Sequence, residues 1–390
     1  MKRLYYRSQI VSSTTLLAIA MSSIFAVVIV QRFPASVSDD LRMRMWEASY
    51  AAENSYNAIA CKRAELGHRL LRKHDPARTG MLGPSMSLVT TLPGHLESKQ
   101  TSVNPNFAAV AVAMLHEAGV QPGDAVAMGM TGSFPALDIA VIHACEAMDL
   151  RPLIVSSAAS SQFGANEPEF MWPDMEKLLY EEGLISTRSL ATSMGGFRDR
   201  AEGMTDDTRA LLLDSINRSG VPALRTNGST DSIDQRMGLF TASAAGQDIV
   251  AYINVGGGSS SVGGSEGNEI LGEGVLWPKQ IIHARDDKNQ NITDCVALRF
   301  AQEGVPTLNF VRAVSLANRY QLDIASMVPI EVGRASVFYG GPPRRWLAGL
   351  LLCGLFLLIG LLMKPPAAAV NWLHRHGWLS PSDEQPQWMV

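Results

Sequence analysis

Serine, threonine, asparagine and glycine gather at four places in this chain, each just after a short apolar run. The first is MGMTGSFP, with Gly129, Thr131, Gly132 and Ser133 ahead of Pro135. The second is VSSAASS, with Ser156, Ser157, Ser160 and Ser161. The third is ATSMGG, with Thr192, Ser193, Gly195 and Gly196. The fourth and longest is YINVGGGSSSVGG, with Asn254, Gly256, Gly257, Gly258, Ser259, Ser260 and Ser261. Glycine lets backbone approach a ligand closely, hydroxyls add donors, and a helix N-terminus offers free N–H groups to an anion. One such cluster is by itself an ordinary turn and cap. Four at one edge of a sheet would make a polar pocket suited to carboxylate or phosphate. Asn166 and Glu167 in GANEPEF follow the second cluster and are expected to face the same pocket. The expected ligand-binding set is Thr131, Gly132, Ser133, Ser157, Ser160, Asn166, Glu167, Asn254, Gly256, Gly257, Gly258, Ser259 and Ser260.

Established catalytic patterns are thin. No cluster matches a Walker A loop, the G-x-G-x-x-G fingerprint or the G-x-S-x-G nucleophile elbow. VGGGSSS resembles the D-x-G-G-G-S phosphate loops of actin-like ATPases. Asn254 stands where those loops carry their acidic residue, which removes the Mg-linked carboxylate, and no partner motif accompanies it. His116 and His143 fall on apolar helical faces and read as satisfied core histidines. His95 and His283 lie in loops without metal-ligand spacing, so neither a metal nor a cofactor is expected. Asp174 and Glu176 suit the first turn of a helix, whereas Glu266, Glu269 and Glu273 follow the fourth cluster. Catalytic residues stay unassigned. A serine nucleophile, Ser133 or Ser160, would need a base within about 2.6 to 3.2 Å.

The elements that must position these clusters alternate between about residues 93 and 340. DAVAMGM, RPLIVSS, SLATSM, VPALRT, DIVAYINV and VPTLNFV read as strands. FAAVAVAMLHEAGV, FPALDIAVIHACEAM, MWPDMEKLLYEEGL, DDTRALLLDSINRSG, ITDCVALRFAQEG and VRAVSLANRY read as helices. This order with short links predicts an α/β domain, a doubly wound and mostly parallel sheet covered on both faces. Ligands of such sheets bind outside the carboxyl ends of the strands.

Ahead of that domain, SDDLRMRMWEASYAAENSYNAIACKRAELGHRLL lacks proline and is rich in Ala, Leu, Glu and Arg. Leu41, Met45, Ala48, Ala52 and Tyr56 recur at helical spacing, and Asp39 and Asp40 suit the first turn. An N-terminal helical stalk is expected, although the stripe equally fits a partner-binding helix or one packed on its own domain. Pro76, Gly80, Gly83 and Pro84 mark a linker. The ends carry two uncharged apolar runs, IVSSTTLLAIAMSSIFAVVIV and WLAGLLLCGLFLLIGLLM, read as transmembrane helices. The expected order is a tail over 1–9, a transmembrane helix over 10–30, helical stalk and linker over 31–92, the α/β domain over 93–342, a second transmembrane helix over 343–363, and a tail over 364–390.

Lys2, Arg3 and Arg7 precede the first span and place it with its start in the cytoplasm; Arg32, Arg42, Arg44, Arg344 and Arg345 argue the other way. Long domains translocate largely regardless of charge, so the central domain is expected outside the cytoplasm. Four scattered cysteines, Cys61, Cys145, Cys295 and Cys353, make no disulfide framework. A net charge of −4 without a basic run leaves no reason to expect a nucleic-acid partner.

Two segments, GSFPALDIA at residues 132–140 and GANEPEFMWPDME at 164–176, resemble the poly-gamma-glutamate system protein family of bacterial membrane proteins. The resemblance spans most of the chain, including one apolar run at each end. It implies a two-pass component of the bacterial cytoplasmic membrane, in a system that makes, exports or anchors poly-gamma-glutamate. It brings no catalytic residues with it. The expected partners are the lipid bilayer, poly-gamma-glutamate or a glutamate-containing precursor, and other membrane subunits of the system. An accessory protein that binds the anionic polymer is the leading expectation. A hydrolase or transferase acting on the polymer through a serine, and a scaffold for synthase and exporter subunits, are the alternatives.

Overall fold

The computed structural model describes residues 13–32, 37–68, 72–286, 292–340 and 345–363. The expected tails, residues 1–9 and 364–390, lie outside the described residues, as do Lys2, Arg3, Arg7 and Arg344. The chain divides into two compact units.

One unit spans residues 37–339 and is built on a seven-stranded sheet. Its strands are β1 (Ala125–Gly129), β2 (Arg151–Ser157), β5 (Ala191–Ser193), β6 (Ala223–Leu224), β7 (Ile249–Val255), β8 (Gly274–Leu276) and β9 (Thr307–Phe310). A separate antiparallel hairpin joins β3 (Asn166–Glu167) to β4 (Phe170–Met171). The order across the sheet is β6-β5-β2-β1-β7-β9-β8, parallel throughout except for β8 at the edge. The chain winds outward from β1 through β2 and β5 to β6. It then returns to the other side of β1 as β7. The direction of winding therefore reverses between β1 and β7, and this defines the switch point of the sheet.

Strand side chains alternate between two cores, as a period of two requires. Val126, Met128, Ile154, Ile253 and Leu308 pack on one face with the helices Asp39–Glu65, Phe107–Glu117, Pro135–Ala147 and Ala313–Tyr320. Ala125, Ala127, Leu153, Val155 and Tyr252 pack on the other with Ser229–Ala244 and Val296–Gln302. The helix Phe107–Glu117 is buried on nearly every side, which matches its almost uninterrupted apolar sequence.

The helix Asp39–Glu65 is not a stalk. Ser38 caps its start by accepting from the Leu41 amide at 3.2 Å, with Asp39 and Asp40 in the first turn. Met45, Ala48, Ala52, Tyr56 and Ile59 are buried in the core with Leu41 packed against it, so the helical stripe closes on its own domain. The Tyr56 hydroxyl donates to the carbonyl of Ala136 at 2.8 Å. The expected linker is likewise part of the domain. Met81 and Leu82 are buried, and Asp75 accepts from the amides of Thr79 and Gly80. The segment then runs beside the loop after β2, where Thr90 and Ser160 form a bridge.

The other unit holds two apolar helices that lie against each other, Ser13–Arg32 and Arg345–Met363. Within the first, Ser13–Val30 is long and apolar enough to cross a membrane, with mean hydropathy 2.2 and none of it buried. The second carries a shorter apolar stretch, Trp346–Leu361. Two spans were expected from the sequence; one helix of sufficient length and composition is present among the described residues.

Candidate functional site

The switch point brings the first and fourth polar clusters together. The loop after β1 holds Thr131, Gly132 and Ser133, and the loop after β7 holds Gly256, Gly257 and Gly258. Gly256 sits at φ 89°, in the left-handed region, and a Cβ there would collide with Thr131 Oγ1. Glycine is required twice over at that position, by backbone conformation and by the approach of the two loops. Behind them, Asn254 donates to the Gly256 carbonyl and to Asn309 Oδ1, both at 2.7 Å, which fixes the start of the β7 loop to the end of β9. Asn309 in turn donates to the Gly272 carbonyl at 2.6 Å.

The face of this junction is polar and partly exposed. Ser133 and Ser259 are half-buried and Gly257 is exposed. The backbone amides of Gly257 and Gly258 have no hydrogen-bond partner among the described residues. Neither do the hydroxyls of Ser259 and Ser260, which are themselves buried. Unpaired donors at strand ends are what an anion would satisfy. The Ser261 hydroxyl is used internally, bonded to Tyr252, and burial pushes that phenol above its ordinary range.

Other expected residues are placed elsewhere. Ser157 accepts from Ser193 at 3.1 Å within a buried network of Arg236, Asp199, Ser193 and Ser232. Ser160 is buried and donates to the Ser161 carbonyl at 2.9 Å. The Asn166 amide donates to the Pro84 carbonyl and to Thr90, so it ties down the crossing segment rather than facing the junction. Glu167 turns to His68 at 3.0 Å and to the buried Arg63 at 3.5 Å. Asp174 accepts from the Met171 amide as a helix cap, whereas Glu176 is buried under Ser189 and its carboxyl is pushed up by burial. His143 is a satisfied core histidine, between Ser55 at 2.7 Å and Glu146 at 3.1 Å; His116 is exposed. Glu266 and Glu269 are exposed, while Glu273 takes a bond from Ser315 and pairs with Arg312 at 3.8 Å and Arg319 at 3.9 Å, the three lining a cleft of about 510 Å³.

Two buried ionisable groups behind the β1 loop escaped sequence reading. Lys99, in the short helix Leu96–Ser102, is 2 % exposed and donates to Ser161 Oγ at 2.9 Å and to the Ser133 carbonyl. Its ammonium group also lies 3.9 Å from the centre of the Phe134 ring. Burial brings Lys99 down to about 7, against the pull of Asp138. Asp138 is fully buried in the first turn of Pro135–Ala147, and neither carboxyl oxygen has a side-chain hydrogen-bond partner among the described residues. Burial pushes its carboxyl well above the ordinary range and the charge of Glu176 adds to this, while Lys99 and the Thr131 amide oppose it. Lys99 lies in the polar run LESKQTS, which reads as a solvated face. Only Asp138 gave a signal, as an acid in the first turn of the apolar helix FPALDIAVIHACEAM, ahead of the apolar run that separates it from Glu146.

Fold and site together define a doubly wound α/β domain with an anion-suited junction at its switch point and a buried lysine beside it. No family model, curated protein or solved structure matches the chain.

Proposed function

We propose that the chain is a membrane-anchored accessory component of a poly-gamma-glutamate synthesis or export system. Its α/β domain binds the carboxylates of the polymer or of a glutamate-containing precursor at the β1–β7 junction. The carrying observation is the pair of touching loops at Thr131 and Gly256, where the amides of Gly257 and Gly258 and the buried hydroxyls of Ser259 and Ser260 have no hydrogen-bond partner among the described residues. Backbone amides grouped this way suit a carboxylate without any cationic side chain.

The resemblance in sequence supports the same reading through its location. The segment 132–140 is the turn from β1 into the helix Pro135–Ala147, and 164–176 begins against it. The Ala165 amide donates to the Gly132 carbonyl at 2.7 Å. A Cβ at Gly164 would collide with Ser160 Oγ and with the carbonyl oxygens of Gly132 and Ser133. The two segments that carry the resemblance thus meet at the proposed site. In this reading the apolar helices Ser13–Arg32 and Arg345–Met363 both cross the bacterial cytoplasmic membrane, and the domain between them lies outside.

The test is binding of labelled poly-gamma-glutamate to the full-length protein in detergent. Two lost charge-assisted hydrogen bonds, each about 1.5 to 3 kcal/mol, predict that Ser133→Ala/Ser259→Ala weakens binding by at least roughly 100-fold. Unchanged affinity would overturn the assignment.

A further inference from the structure

Lys99 and Ser161 are not needed to bind a carboxylate at the junction, yet they are arranged as a base and a nucleophile. Ser161 is half-buried, and its backbone is held from both sides. Its amide donates to Ser133 Oγ at 3.1 Å, and its carbonyl accepts from Ser160 Oγ at 2.9 Å and from the Gly164 amide at 3.3 Å. The one side-chain partner of its hydroxyl among the described residues is Lys99 Nζ, at 2.9 Å. That distance is inside the range a nucleophile–base pair requires, about 2.6 to 3.2 Å. Lys99 is itself fixed, by the Ser133 carbonyl on one side and the Phe134 ring beneath.

We propose that Ser161 and Lys99 form a serine–lysine acyl-transfer pair that cleaves amide bonds. The substrate class, an amide-linked chain bearing carboxylates, rests on the binding reading above; the pair itself does not. Neutral Lys99 takes the hydroxyl proton as Ser161 Oγ attacks the carbonyl carbon. The carbon–nitrogen bond then breaks, and the same proton passes to the departing amine. Water opens the resulting ester, giving up one proton to Lys99, which returns it to Ser161 Oγ while the acid is released. A base works best with its pKa near the operating pH, and burial places Lys99 there. The Ser133 hydroxyl accepts from the Ser161 amide, so its own proton is available to the oxyanion.

The experiment is covalent labelling of the full-length protein in detergent with a fluorophosphonate, read by peptide mass. It needs no polymer. We expect phosphonylation at Ser161, a labelling rate that rises with pH through a midpoint near 7, and loss of the label in Ser161→Ala. Lys99→Met is expected to slow labelling by roughly 100-fold or more. Absence of label at Ser161, or an unchanged rate in a Lys99→Met protein whose unfolding transition matches the parent's, overturns the pair. Should Lys99→Met fail to fold, the parent's pH profile decides: a rate that keeps climbing without a plateau above neutrality overturns it. Release of free amine from poly-gamma-glutamate is measured in parallel. Labelling of Ser161 without amine release leaves the pair standing and refutes the polymer as its substrate, whereas release lost with Ser161→Ala supports both.

Discussion

At the scale of single residues, Lys99 and Asp138 tie the stability of the domain to pH in opposite directions. Burial holds folded Lys99 near 7, against an ordinary value of 10.5. Between those values the unfolded chain binds a proton that the folded chain does not, so stability rises as pH climbs through that window. Below 7 both states are protonated, and the full cost of a buried ammonium is present. Asp138 works the other way. Its folded carboxyl stays protonated above the ordinary 3.8, so stability falls as pH rises from there toward its folded value. Unfolding of the full-length chain by denaturant is therefore expected to show a gain in stability between pH 7 and 10 that Lys99→Met flattens. A slope unchanged by that substitution would mean that Lys99 is solvated. Neither residue was legible in sequence as part of a site. A lysine within LESKQTS looks solvated because the segment that covers it, including the Phe134 ring, comes from distant parts of the chain. Ser133 and Gly256 were legible, because small polar residues at a strand end carry their meaning locally.

At the scale of elements, alternation served well where strands are long and flanked by helices. RPLIVSS and DIVAYINV correspond closely to β2 and β7, and their register aligns the polar ends on either side of β1. It failed where the pattern is short or diluted. The two-residue strands β3 and β4 have no period to detect, and β8 is a three-residue strand that follows the glycine-rich stretch after β7. The helix Asp39–Glu65 shows a third kind of difficulty. Its stripe of Met, Ala and Tyr marks a buried face, but a stripe does not say which surface covers it. The cover is the core on one face of the sheet, and this has a measurable consequence. Ile59 is fully buried there, so Ile59→Ala is expected to cost about 2 to 5 kcal/mol in unfolding of the full-length chain. An exposed stalk would lose less than about 0.5 kcal/mol from the same change.

At the scale of the whole molecule, the proposed membrane anchoring raises the question of which side the domain occupies, because that decides what its site can meet. Under the proposed function, the junction outside would face an emerging polymer and no ATP. Inside, it would face precursor synthesis under the same proposal, and the likeness of VGGGSSS to a phosphate loop would gain weight over a carboxylate site. Charge flanking the spans argues both ways, so sequence leaves the matter to experiment. The cysteines supply the probe. Cys61 is exposed on the helix Asp39–Glu65, whereas Cys145 and Cys295 are buried and serve as internal controls. Cys353 lies on the apolar helix Arg345–Met363 and is removed by Cys353→Ser, so that any label reports on Cys61 alone. A charged maleimide that cannot cross membranes is added to intact spheroplasts and then to lysed ones. An extracytoplasmic domain predicts full labelling of Cys61 before lysis, with Cys145 and Cys295 reacting only after denaturation. Labelling of Cys61 only after lysis would place the site in the cytoplasm, and the ligand to test first would then be a phosphate ester rather than a finished polymer.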